Sequence, residues 1–142
     1  MERATKEKVR EKLGESMPPA VANPALDAAL QTVMDNNAGI AMLLLSTGDG
    51  RALSHSTQSR LDPRRISAMS NSFLTLGETL SRELGLTTAE YVTMSTAQGS
   101  MVLVRVLSQK PCTLAALGHS DTSLAILLYA ARDAAARLAP LM

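Results

Sequence analysis

The sequence predicts an α+β (α/β) domain in three layers, a five-stranded antiparallel sheet with helices on both faces, in the order αββαβββα. Three observations carry this reading. Short apolar runs are joined by hairpin-type turns, which link antiparallel neighbours. Several of those runs are apolar at successive positions rather than alternate ones, as strands covered on both faces are. Three longer segments repeat their apolar residues at helical spacing. A chain of 142 residues is the size of one domain. It is long enough to build a core without disulfide or metal.

Residues 1–23 stand apart as a charged leader. They hold five basic residues (Arg3, Lys6, Lys8, Arg10, Lys12) and four acidic ones (Glu2, Glu7, Glu11, Glu15). Glu2–Lys6 and Arg3–Glu7 are favourable i,i+4 pairs, whereas Glu7–Glu11 and Lys8–Lys12 oppose helix formation. Pro18-Pro19 stops any helix there. The leader is expected to be flexible or marginally helical, or to order as an arm on a partner or sister subunit.

Residues 24–142 form the domain. Asn23-Pro24 supplies a cap and a first-turn proline for a helix carrying Leu26, Ala29, Leu30, Val33 and Met34 at helical spacing. Asn36, Asn37 and Gly39 end it. Ile40 to Ser46 reads as a doubly covered strand. Thr47-Gly48-Asp49-Gly50 is a hairpin turn, and Arg51 to Ser56 returns. Asp62-Pro63 opens the longest helix, which runs to about Leu84 with Gly85 as its stop. On it, Ile66, Met69, Phe73, Leu76, Leu80 and Leu84 form one continuous stripe. Ser70, Leu74, Gly77 and Ser81 form a second, mostly small stripe about 95° around the axis. A glycine inside a helix costs about 1 kcal/mol relative to alanine, so its presence suggests that another backbone comes close.

Three strands follow: Tyr91 to Thr96, Met101 to Leu107 after the Ala97-Gln98-Gly99-Ser100 turn, and Cys112 to Leu117. The last helix is expected to be capped by Ser120 or Asp121 and to bury Leu124, Leu128, Ala131, Ala135 and Leu138. Pro140 ends it.

Much chemistry is missing. Fourteen basic against 13 acidic residues leave a net charge of +1, with no broad field for nucleic acid or an acidic membrane. Aromatics make up 2%, too few for base stacking. Ala38 to Leu45, the longest apolar run, is far short of a membrane span, and the charged N-terminus has no signal-peptide core. A cytoplasmic location is therefore expected. A lone Cys112 fits a reducing compartment and reads as a small core residue. His55 and His119 lack partners at metal-ligand spacing. Gly48-Asp49-Gly50 lacks the Lys-Ser/Thr of a phosphate loop, and no G-x-S-x-G elbow occurs. Glu78 and Glu83 are explained by their helix rather than by acid–base work. No catalytic residue, cofactor or metal is expected. Asp62, Arg64 and Arg65 cluster at a helix start, as capping or as a charged contact. Arg105, inside an apolar strand, either lays its stem over the sheet or pairs with an acid such as Glu90 or Glu78.

The segment GIAMLLLSTGDGRAL (39–53), the long helix after a D-P start (62–84), YVTMSTAQGSMVLVRV (91–106), and the strand ending in Leu-Gly (117–118) before an Ala-rich helix together resemble the Roadblock/dynein light chain family. The resemblance covers about residues 24–139. Many members begin the last helix with Asn-x-Gly, and here Ser120-Asp121-Thr122-Ser123 stands instead. The resemblance implies that the long middle helix lies on one sheet face and the other two helices on the opposite one. It also implies a homodimer, with the third strands paired into a ten-stranded sheet and the middle helices side by side. The implied interface is Ser70, Leu74, Gly77 and Ser81 of the helix with Tyr91, Val92, Thr93, Met94 and Ser95 of the strand. An open strand edge is a liability unless paired, and the small stripe would let the helices approach.

Bacterial members of the family are similar to regulators of small Ras-like GTPases, including the activating protein of the gliding-motility GTPase. Others are scaffolds for GTPases or motor components. The resemblance thus implies a regulator rather than an enzyme, stimulating hydrolysis at most on a partner's active site. Arg60, Arg64, Arg65 and Arg82 are the candidates for contact or insertion there. The alternatives are an assembly or motor adaptor without a nucleotide link, and a profilin-like small-ligand sensor, which needs a pocket between sheet and helix.

Overall fold

The computed structural model describes residues 23–58 and 60–142. Of the expected leader, all but Asn23 lies outside the described residues. Helix α1 spans Pro24–Asn36. The Asn23 side chain accepts from the Ala25 amide at 3.1 Å, and Pro24 needs no amide partner. Leu26, Leu30, Val33 and Met34 are buried, as their spacing requires. Strands β1 (Ile40–Thr47) and β2 (Ala52–Thr57) form the first hairpin. Helix α2 spans Pro63–Glu83, with the Asp62 carboxylate accepting from the Arg64 amide at 3.1 Å. Gly85, at φ +70°, turns the chain out of α2. The Leu86 amide then reaches back to the Ser81 carbonyl at 3.0 Å and closes the helix end.

Strands β3 (Tyr91–Thr96), β4 (Gly99–Val106) and β5 (Cys112–Gly118) lead to helix α3 (Leu124–Leu138) and a final 3-10 turn, Ala139–Leu141. Strand β4 starts two residues earlier than its apolar run, because a two-residue turn lets Gly99 already pair with Thr96. The sheet order is β2-β1-β5-β4-β3, every neighbour antiparallel.

Alternation along the strands divides the interior in two. Leu43 and Leu45, Val102, Val104 and Val106, and Cys112, Leu114 and Ala116 join α1 and α3 in a core of 18 buried residues. Met42, Leu44, Leu103 and Ala115 face the other way, where only Leu74 of α2 completes a buried set of five. The three-layer architecture follows.

Helix α3 departs from its expected face. Ser123, not Ser120 or Asp121, caps it, accepting from the Ile126 amide at 3.2 Å. The buried row is Leu127, Ala130, Ala131, Ala134 and Leu138, while Leu124 is exposed and Leu128 and Ala135 are only partly covered. A helix apolar nearly all round offers several equivalent rows, and the start point selects among them. Thr122 is occupied elsewhere, donating to the Gly39 carbonyl at 2.8 Å.

Candidate functional site

Helix α2 exposes a continuous apolar row. Met69, Phe73, Leu76, Leu80 and Leu84 are all exposed, Leu76 by 66%. Only Ile66 of that stripe packs against the sheet. The small stripe does the opposite. Ser70, Leu74 and Ser81 are buried, with Ser67 beside them, and Gly77 is half-buried. The small stripe is thus covered within the chain, where the resemblance implied an interface with a second copy. The small one seats α2 on its own sheet, and the large one is left over.

The reason lies in close approach. A Cβ at Gly77 would sit 2.5 Å from Cγ2 of Val92 in β3. The Ser81 hydroxyl donates to the Thr87 carbonyl in the segment leading to β3. Helix and strand are drawn together by small side chains. The hydroxyls of Ser67 and Ser70 are buried without a partner, which costs about 1–3 kcal/mol each. This face tolerates that loss in exchange for a low seat on the strands.

Five apolar side chains spaced 4, 3, 4 and 4 residues apart, about 90° around the axis from the buried row, make a coiled-coil-like seam. Beside its C-terminal half lies an open trough of about 640 Å³, lined by Gly77, Leu80, Ser81, Leu84 and the segment 85–89. These exposed apolar side chains make this flank the candidate interaction surface.

Strand β3 continues that surface. It pairs only with β4, in unbroken register from Tyr91↔Val104 to Thr96↔Gly99, so its outer edge is open among the described residues. Val92 packs beneath α2, and Met94, on the same side of the strand, is 47% exposed. Tyr91, Thr93 and Ser95 alternate to the α3 side. There the Arg132 guanidinium lies over the Tyr91 ring at 5.2 Å and pairs with Glu90 at 3.0 Å. The Ser95 hydroxyl is tied to that of Ser100 at 3.1 Å. The other sheet edge differs. Strand β2 is polar, its register slips at Leu53 between the Leu45↔Ser54 and Ser46↔Ala52 pairs, and its serines are bound to Asp27 and Gln31 of α1.

The opposite flank of α2 is held by Arg105. Of the two acids left open by the sequence, Glu78 is the partner, at 2.6 Å, with both side chains about four-fifths covered. Arg60, Arg64, Arg65 and Arg82 are all exposed. Arg65 stands four residues before Met69, at the head of the apolar row. Arg82 lies in the last turn, about 27 Å from Arg64 at 1.5 Å per residue. Among the described residues no group of His, Cys, Asp and Glu is arranged to hold a metal. Burial raises the Cys112 thiol above its ordinary range, so the thiolate nucleophile is disfavoured. No helix among the described residues is long and apolar enough to cross a membrane.

Residues 26–109 match the family model of the Roadblock/LC7 domain. The chain belongs to that family. In fold it is similar to MglB of Myxococcus xanthus, at 14% identity over 82% of this chain and 86% of that one, with a TM-score of 0.72. A Roadblock/LC7 domain from Streptomyces avermitilis gives the same score at 16% identity, covering 81% and 95%. An MglB structure described as having a tetrameric arrangement gives 0.74 at 13% identity, covering 87% and 94%. No curated protein matches the sequence significantly. The match ends at 109, so the Roadblock/LC7 model covers both elements of the candidate surface, α2 and β3.

The exposed stripe was visible in the sequence as a pattern but not as a surface. The signal that distinguishes it is the adjacent row of small residues, which names the side that lies close to backbone.

Proposed function

We propose that this Roadblock/LC7 chain is a homodimeric regulatory or scaffold module whose paired α2 helices and β3 edges form a platform for a small Ras-like GTPase. The observation that carries the reading is the continuity of two unsatisfied surfaces, the apolar flank of α2 and the open edge of β3. One two-fold axis satisfies both, because an antiparallel strand and an apolar helix seam are each self-complementary. The helix contribution to the pairing comes from Met69, Phe73, Leu76, Leu80 and Leu84, in place of the small stripe. The strand contribution is Tyr91 to Ser95. Likeness in fold to MglB and membership of the family support the GTPase as third component.

A regulator of this kind needs no nucleotide site of its own. It acts by repositioning groups on the GTPase or by supplying an arginine. Arg64 and Arg65 at one end of α2 and Arg82 at the other are too far apart to serve one active site from one helix. The adaptor reading, with no nucleotide link, shares the dimer and differs only in what the platform holds.

Two measurements test this. Sedimentation equilibrium is expected to give twice the chain mass at micromolar concentration, and a monomer there overturns the proposal. Capture from native-cell lysate on the immobilised chain is expected to retain a P-loop GTPase more strongly with a GTP analogue than with GDP. Equal capture of a non-GTPase partner in both buffers favours the adaptor.

A further inference from the structure

We infer that Arg105 sets the axial position of α2 on the sheet, and with it the height at which the apolar row meets whatever docks there; the inference rests on the docking reading above. A helix seated by large side chains is indexed by their interdigitation. Helix α2 is so indexed at few points: Leu74 is the one large residue in its buried row, between Ser67, Ser70, Gly77 and Ser81, with Ile66 partly buried and Val92 of β3 seated at Gly77. Such a face lies close but resists sliding weakly.

The further index is polar. From β4, Arg105 reaches three consecutive turns of α2. Its Nη1 donates to Asn71 Oδ1 at 3.1 Å, and its Nη2 to Thr75 Oγ1 at 3.3 Å. Its Nε and Nη2 grip the two Glu78 oxygens at 3.2 and 2.6 Å. Nη1 also donates to Thr113 Oγ1 of β5 at 2.6 Å, and that hydroxyl donates to Asn71 at 3.1 Å. Asn71 in turn donates to the Gly48 carbonyl in the β1–β2 turn at 2.7 Å. The guanidinium is planar with donors in fixed directions. A slide of one residue moves the helix by about 1.5 Å and turns it by about 100°, which takes all three turns off the fork at once. The grip lies on the flank of α2 opposite the apolar row, so it positions that row without occupying it. Buried polar groups that fix register are the best attested use of such pairs.

The test measures position directly. Spin labels on His55→Cys in β2 and Glu83→Cys at the end of α2 report the distance from sheet to helix within one chain, with labelled protein diluted in unlabelled. Both sites are exposed. Arg105→Lys keeps the charge beside Glu78 but replaces the fork by one ammonium. It is expected to broaden or displace the distance distribution, and to weaken self-association at least tenfold, while helical circular dichroism and cooperative melting are retained. A lowered melting temperature with an unchanged distance distribution means that Arg105 only stabilises, and overturns the inference. Should Arg105→Lys fail to fold, Glu78→Gln, which keeps the side-chain shape, gives the same reading with the same two outcomes. A monomeric parent chain removes the docking reading, yet the distances still decide whether Arg105 holds α2 in register.

Discussion

The two faces of the sheet are built on different terms. Under α1 and α3 the strands contribute alternate large side chains, the helices answer with Leu26, Leu30, Leu127 and Leu138, and the core closes. Under α2 the strands bury fewer residues, Met42, Leu44, Leu103 and Ala115, and the helix answers with buried Leu74 and partly buried Ile66. Its other large residues point away. The first face is closed inside one chain. The second leaves large apolar side chains of its helix exposed, and that helix is held largely by a polar grip and close backbone approach. On the proposed reading, such a domain separates stability from association: the larger core lies on one side, and the other side would offer its exposed apolar residues to a neighbour.

Matched substitutions on the two faces should separate these roles. Leu43→Ala, in the closed core, is expected to cost about 2–5 kcal/mol, read as a lowered urea midpoint at every protein concentration. Leu76→Glu on the open row should leave the monomer fold nearly unchanged. It should weaken self-association at least a hundredfold, about 2.8 kcal/mol, in sedimentation equilibrium. A Leu76→Glu chain that still pairs as tightly as its parent would break the comparison. Gly77→Leu drives a side chain into Val92, so it should destabilise the chain itself by about 1–3 kcal/mol and raise hydrogen exchange in β3. Loss of pairing with no loss of stability would return the small stripe to the interface. Ser70→Ala removes a buried hydroxyl that has no partner, and is expected to stabilise by about 0.5–1.5 kcal/mol in thermal melts.

The smallest effect belongs to the first hairpin turn, outside both faces. The Thr47 hydroxyl, and then the Arg51 charge, hold Asp49 below its ordinary 3.8. A carboxyl with a depressed folded-state value stabilises fully above 3.8, and that contribution fades as pH falls through the lower native value. Asp49→Asn should flatten that part of a urea-midpoint profile between about pH 5 and 2 and leave neutral pH little changed.

Most of the fold was legible because its signals are local. Asn23 and Asp62 cap their helices, Gly85 stops α2, and β3 runs from Tyr91 to Thr96 as its residues suggest. The double apolar character of β1, β4 and β5 correctly required helices on both sides. The site was half legible. Helical spacing tells which residues share a row but not which neighbour that row meets, so the two stripes of α2 were found, but not that the small one lies on its own sheet and most of the large one at the surface. The same ambiguity turned the face of α3 by about one residue. For Arg105 the sequence offered Glu78 and Glu90 alike, since the choice depends on how α2 crosses the strands.

The unlike rims of the sheet set a limit on growth. Among the described residues, a regular, open β3 lies on one side and a bulged, polar, helix-tethered β2 on the other, so the two borders are unequally suited to pairing. Joined through the β3 border about a two-fold axis, two copies would consume it and present only blunted margins outward. The sheet would then stop at ten strands, and growth along its hydrogen-bonding direction would be disfavoured.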